Sequence, residues 1–243
     1  SIKVYAKATL NESRLAEKIA AERNILAALR GKALCITDAV SSAQDERFIY
    51  LTLGDHFQCD LSTVLSETAI STDAKYYYAA CAASAILALF DFGLFHRFIN
   101  TSSLYITSSG VLKVADLRYA RRMDGSRCLT VCGDPLYFAP EQVRQSGYDY
   151  AIDLWALGVL IYELFEGANP FGSEKTGETD IFKIISAFEP SILAFSEKSP
   201  DEVRDIIRLL MTEQDHKRLG YTDPGDLSRH SFFRANPLSS VGD

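Results

Sequence analysis

Four short segments carry most of the side chains whose types and spacing could do chemistry. His96-Arg97-Phe98-Ile99-Asn100-Thr101-Ser102-Ser103 follows a long apolar helical pattern. Val114-Ala115-Asp116-Leu117-Arg118 comes next, then Ala139-Pro140-Glu141, then Asp153-Leu154-Trp155. Carboxylates can take protons or bind divalent cations, and guanidinium and ammonium groups can neutralise anions; the phenyl ring of Phe98 can do neither. Lys3 and Glu22, 19 residues apart, read on their own as a surface lysine and a solvated helix glutamate. Cys128 and Cys132 are four residues apart, but with no companion histidine or cysteine nearby the pair does not make a metal site.

Composition narrows what can hold these groups in place. The chain has 243 residues, 47% hydrophobic and 23% charged, enough for one large domain or two small lobes. A net charge of −7 provides no general basic surface for nucleic acid. Five scattered cysteines without a CxxC pair point to a reduced, cytoplasmic protein. The most apolar stretch, residues 76 to 94, contains Asp91 and is preceded by Lys75, so it reads as a buried core helix and no membrane span is expected. Lys3 and Lys7 are followed by no apolar core, so no signal peptide is read.

The elements follow from periodicity. Ile2-Lys3-Val4-Tyr5 alternates as a strand. Residues 11–30 read as an alanine-rich helix with Asn11 or Ser13 as cap and Gly31 as stop. Strands are expected at 34–40 and 48–53 around a turn at 41–46, helices at 60–65 and 73–92, and a hairpin joining 105–107 to 112–114 through Ser108-Ser109-Gly110. Beyond Pro140 the pattern is helical, at about 140–146, 152–167, 179–187 and 201–211, with a terminal turn near 227–233. Strands first and helices after give an α+β fold of two lobes, with residues 1–54 as the small lobe, 55–59 as the connection and 60–243 as the large lobe.

Across essentially its whole length the chain resembles a Ser/Thr protein kinase of the AGC group, nearest to the cyclic-nucleotide-dependent ones. Cys132-Gly133-Asp134-Pro135-Leu136-Tyr137-Phe138-Ala139-Pro140-Glu141 is similar to the family's CGTPEYLAPE. Gly147-Tyr148-Asp149 through Asp153-Leu154-Trp155 to Tyr162-Glu163 is similar to its F-helix, and Arg218-Leu219-Gly220 followed by His230-Ser231-Phe232-Phe233 to its closing RLG…HxFF. The resemblance implies a bilobal kinase-like fold whose small, β-rich lobe begins at the family's third strand, without the first two strands and the Gly-rich loop. That loop is either absent or outside this sequence, and without it nucleotide affinity falls.

By the same resemblance, ATP and Mg²⁺ are the implied cofactors. Lys3 is the phosphate-gripping lysine and Glu22 its orienting partner; Lys7 would leave a separation of 15 and fits worse. Thr52 joins the nucleotide-binding set. Asp116 holds the metal-ligand position, with Leu117 and Arg118 in place of the Phe and Gly that follow it. Replacing that glycine biases the loop, and the Arg118 guanidinium could sit against Asp116 and compete with the metal. Ser103 stands where the second metal ligand is normally Asn, Asn100 where a lysine clamps the transferring phosphate, and Phe98 where an aspartate acts as base. Each such group typically contributes a factor of about 10² to 10⁴.

The scaffold positions are kept. Glu141 and Arg218 match a buried ion pair, Asp153 the aspartate holding the catalytic-loop backbone, and His96 and Leu117 two members of the hydrophobic spine. Arg97 matches the receiver of a phosphothreonine, at whose position Thr130 stands, either phosphorylated or unmodified. Asp134 replaces a threonine; it is read either as a relocated base or as an acid contacting Asn100 or Arg118. Ser102 replaces one acidic reader of arginine-directed relatives and Glu163 keeps another.

Two functions from this resemblance stay open. One is a pseudokinase with a regulatory or scaffolding role and weak or no ATP binding, acting through a protein partner or an in-cis regulatory domain such as a cyclic-nucleotide-binding one. The other is an active or residually active ATP-dependent Ser/Thr kinase. Asp116 to Arg122 and Asn169-Pro170-Phe171-Gly172-Ser173 also look similar to the kinase-like part of plant and algal proteins that join a type 2C phosphatase to cyclic-nucleotide-binding domains.

Overall fold

Alternation in Ile2-Lys3-Val4-Tyr5 produces the first strand, β1 (Ile2–Ala6), of a computed structural model that describes residues 1–8, 15–173 and 175–234. Tyr5 is buried and Ile2 and Val4 are exposed, so the strand turns Lys3 and Tyr5 toward the helix that follows. That helix, α1 (Leu15–Leu29), buries Ile19, Glu22, Leu26 and Leu29 on one face and stops at Gly31, whose φ of +68° suits only a glycine well. Asn11 and Ser13, the expected caps, lie outside the described residues.

Strands β2 (Ala39–Gln44) and β3 (Phe48–Leu53) complete an antiparallel sheet in the order β1-β3-β2. The strand expected at 34–40 and the turn expected at 41–46 are both displaced. Residues before 39 are held elsewhere: the Thr37 amide donates to the Val114 carbonyl at 3.0 Å, and Ile36 bridges Val114. The reversal is tight because the Asp45 carboxylate accepts both the Arg47 and Phe48 amides at 2.7 Å.

Past Gly54–His56 the chain enters β4 (Phe57–Asp60), which pairs with β6 (Leu104–Thr107); β6 in turn pairs with β7 (Leu112–Val114). Asp60 caps α2 (Leu61–Glu67) by accepting the Thr63 amide at 2.8 Å. Ser71 caps α3 (Thr72–Asp91), whose alanine-rich centre is buried, in keeping with a core helix. Two residues each form β5 (Leu94–Phe95) and β8 (Arg121–Arg122), which pair with one another.

The remaining helices are α4 (Pro140–Val143), α5 (Ala151–Glu166), α6 (Glu178–Ser186), α7 (Asp201–Leu210) and α8 (Gly225–Arg229). Helix α5 is largely apolar and nearly all buried, so it is the axis of the large lobe. Trp155 on it stacks on Phe171, with centroids 5.9 Å apart, and meets Phe188 edge-on. Gly158 lets α7 approach: a Cβ there would lie 2.6 Å from Met211 Cγ. The molecule is thus a small sheet-containing lobe on a helical one, a mixed α+β fold. Among the described residues no helix is long and apolar enough to cross a membrane.

Candidate functional site

The cleft between the first sheet and the helical lobe is organised around Glu22, which is fully buried on α1. Burying a carboxylate is costly unless donors surround it, and three do. Lys3 Nζ lies 2.5 Å from Oε1, the Leu117 amide donates to Oε1 at 3.0 Å, and the Tyr5 hydroxyl donates to Oε2 at 2.7 Å. Burial and the Glu22 charge push the Tyr5 phenol far above its ordinary range, so it stays a donor. Lys3 also donates to the Ala115 carbonyl at 3.1 Å and lies 3.6 Å from Asp116. Thr52 is on β3 directly opposite Ile2, next in register to the Lys3–Leu51 pair.

Asp116 does not stand open. Arg118 Nε reaches both of its carboxylate oxygens at 3.0 Å, Arg118 Nη2 reaches Oδ2 at 2.5 Å, and the Arg118 amide donates to Oδ1 at 3.1 Å. Burial alone would raise the Asp116 carboxyl, but the Arg118 hydrogen bonds and the Lys3 charge overcome it and hold the group well below the usual carboxylate range. The Arg118 guanidinium lies 5.5 Å from the Tyr5 ring centroid and 5.9 Å from that of Tyr119.

Phe98 lies nearly parallel to Tyr119, with centroids 4.9 Å apart and planes 14° from coplanar. Lys18 Nζ from α1 approaches the same tyrosine ring at 5.1 Å. Beside this stack, Asn100 and Ser103 lock onto each other. Asn100 Oδ1 accepts the Ser103 amide at 2.7 Å, and the Ser103 hydroxyl accepts the Asn100 amide and donates to the Asn100 carbonyl, both at 3.0 Å. Both side chains are buried in this capping box. Asn100 Nδ2 donates to Asp134 Oδ2 at 3.0 Å, while Asp134 Oδ1 accepts the Leu136 amide at 3.1 Å. Of the two contacts considered for Asp134, it makes the one to Asn100.

Asp153, at the start of α5, is buried and accepts the His96 amide at 2.5 Å and the Arg97 amide at 2.9 Å. These bonds hold Arg97 at a φ of +69°, a region non-glycine residues avoid. Burial pushes the Asp153 carboxyl up to about 6 even though both amides favour its ionised form. Burial likewise pushes the His96 imidazole down to about 4. His96 Nδ1 accepts the Phe98 amide at 3.1 Å, and its buried Nε2 meets no hydrogen-bond partner among the described residues. Arg97 donates to the Tyr119 carbonyl at 2.6 Å and to the Tyr148 hydroxyl at 3.4 Å. Tyr148 in turn donates to the Thr130 carbonyl at 2.5 Å, and the Thr130 side chain is exposed between exposed Leu129 and Val131.

Below, Arg218 grips Glu141 with Nη1 at 2.5 Å and Nη2 at 2.8 Å, and its other donors reach the carbonyls of Ala151, Thr212 and Glu213. Glu163 accepts the Tyr137 hydroxyl and lies in a groove of about 520 Å³ with Asp134, Glu178 and Ser102; among its described lining residues none is basic. The Cys128–Cys132 pair gathers no metal-ligand cluster among the described residues; Cys128 instead accepts a hydrogen bond from Arg121.

The protein kinase domain model matches residues 1–233. The chain belongs to the protein kinase domain family. It is 27% identical over 237 residues to "cGMP-dependent protein kinase, isozyme 1" of Drosophila melanogaster, covering 96% of this chain and 30% of that protein. It is 29% identical over 237 residues to "cAMP-dependent protein kinase catalytic subunit 3" of the same organism, covering 96% and 39%, and 27% identical to human "cGMP-dependent protein kinase 2", covering 95% and 30%. Homology to the cyclic-nucleotide-dependent AGC kinases is therefore shown, and the chain spans well under half the length of these curated relatives.

Kinase domains generally use ATP with Mg²⁺. The residues here do not fit the metal. Asp116 already holds a guanidinium on both oxygens, and the Ser103 hydroxyl already accepts from the Asn100 amide and donates to the Asn100 carbonyl. Lys3, braced by Glu22, remains suited to a phosphate oxygen. Sequence reasoning missed Tyr5 and Tyr119. Tyr5 was findable, because strand alternation puts it on the same face as Lys3; Tyr119 was not, because its stack on Phe98 needs the loop path.

Proposed function

We propose that this kinase domain is a pseudokinase with a regulatory or scaffolding role and weak or no ATP binding. The observation that carries the reading is the closed Asp116–Arg118 pair. A carboxylate that already has a charge-assisted, two-pronged partner is a poor ligand for Mg²⁺, which would have to displace that partner. Phe98 stacked on Tyr119 and Asn100 bound to Asp134 support it, since neither can serve as base or phosphate clamp. On this reading the lobes divide at residues 55–59, and the kept Glu141–Arg218 and Asp153 contacts suit a domain retained as a structural platform. Its partner is another protein or an in-cis regulatory domain, such as a cyclic-nucleotide-binding one, in the cytoplasm; the narrower likeness to plant and algal phosphatase 2C proteins agrees with that arrangement.

A second reading, residual Ser/Thr kinase activity, is favoured by the assembled Lys3–Glu22 pair. A thermal-shift titration with ATP and Mg²⁺ tests the cleft, because a ligand at 100 times its Kd stabilises by about 2.7 kcal/mol. Phosphotransfer measured beside Lys3→Met decides between the readings: transfer lost in that variant would favour the active kinase.

A further inference from the structure

We infer that Arg118 takes the place of a divalent cation in this cleft, so that the cleft accepts a nucleoside phosphate free of metal, with Mg²⁺ hindering rather than helping. The inference rests on the pseudokinase reading of the same cleft. Arg118 forms three side-chain hydrogen bonds to Asp116, and Lys3 stands 3.6 Å from the same carboxylate. Two cations and two carboxylates, Lys3 and Arg118 with Glu22 and Asp116, are thereby balanced without any ion. Admitting Mg²⁺ would require Asp116 to release Arg118. It would also set a doubly charged ion beside two fixed cations, with no second ligand from Ser103, whose hydroxyl is closed within its own turn.

A metal-free phosphate requires none of that rearrangement. Arg118 commits Nε and Nη2 to Asp116, and its Nη1 makes no hydrogen bond to the described residues. The Lys3 and Arg118 side chains are each partly exposed, at 20% and 29%. Together they present two donors of one sign to a phosphate, the planar fork and the compact ammonium that phosphate sites commonly combine.

The test is titration calorimetry of the protein with ATP in EDTA and again in excess Mg²⁺, with a phosphotransfer assay alongside. The expected result is binding in EDTA at least as tight as in Mg²⁺. Arg118→Gly, or Arg118→Lys should the glycine variant fold poorly, should weaken binding in EDTA by about tenfold or more. Binding that requires Mg²⁺, or no binding in EDTA, would overturn the inference. Mg²⁺-requiring binding without phosphotransfer would overturn it alone and leave the pseudokinase reading standing; phosphotransfer would overturn that reading.

Discussion

Phe98 lies against Tyr119 with ring centroids 4.9 Å apart and planes 14° from parallel. The position that faces substrate in an active kinase thus carries an apolar plate, joined to the segment after Asp116 and, through Lys18 over the same tyrosine, to α1. Offset-stacked aromatic pairs contribute about 0.5–1.5 kcal/mol beyond the area they bury. A double-mutant cycle of Phe98→Leu with Tyr119→Leu should therefore give a coupling energy of about that size in chemical denaturation. Additive losses would mean that the stack does not brace the loop.

Tyr5 should matter as much as a catalytic position would, for a structural reason. Its hydroxyl donates to the buried Glu22 carboxylate, and hydrogen bonds to charged groups contribute about 1.5–3 kcal/mol. Tyr5→Phe keeps the ring and should lower the denaturation free energy by about that amount. An unchanged midpoint would show that Lys3 and the Leu117 amide suffice for Glu22.

The Arg218–Glu141 pair predicts an asymmetry. Removing one partner of a buried ion pair leaves a bare charge and costs about 3–5 kcal/mol, whereas replacing both with apolar groups is often far milder. Arg218→Met should be strongly destabilised, and adding Glu141→Leu should recover part of the loss by calorimetric melting. Arg218 also binds three carbonyls, so recovery stays partial.

The buried His96 sets a pH signature. Its folded pKa, about 4, lies below its ordinary value, so the unfolded chain binds the extra proton first as pH falls. Its contribution is fully present above about pH 6.5 and is lost as pH drops toward 4. At 1.36 kcal/mol per pKa unit that amounts to about 3 kcal/mol. Asp153 acts in the opposite sense, since its folded pKa near 6 makes its contribution fall as pH rises through roughly 4 to 6. Comparing wild type with His96→Leu cancels the Asp153 effect: the variant should gain on wild type by about 3 kcal/mol between pH 7 and pH 4. A pH-independent gap would contradict the buried neutral imidazole.

The sequence made some of this legible and not the rest, for identifiable reasons. Helix α5 was readable because its apolar run from Leu154 to Tyr162 has one home, the centre of the large lobe. The contact of Arg118 with Asp116 was foreseeable because the two are close in sequence. Strand β2 was displaced by several residues because Ala39-Val40-Ser41-Ser42-Ala43-Gln44 lacks alternation, and the preceding backbone is claimed by β7, far along the chain. The Asn100–Ser103 capping box was missed because residue identities at these positions suggest metal chemistry, while the observed bonding is backbone capping.

The most direct test of the central claim is single-turnover phosphotransfer from labelled ATP in the presence of Mg²⁺, run with wild type, Lys3→Met and Phe98→Asp. With Asp116 held by Arg118, and Asn100 and Ser103 held by each other, restoring one base is insufficient. All three proteins should transfer no phosphate above background. Transfer by wild type that disappears in Lys3→Met would contradict the account.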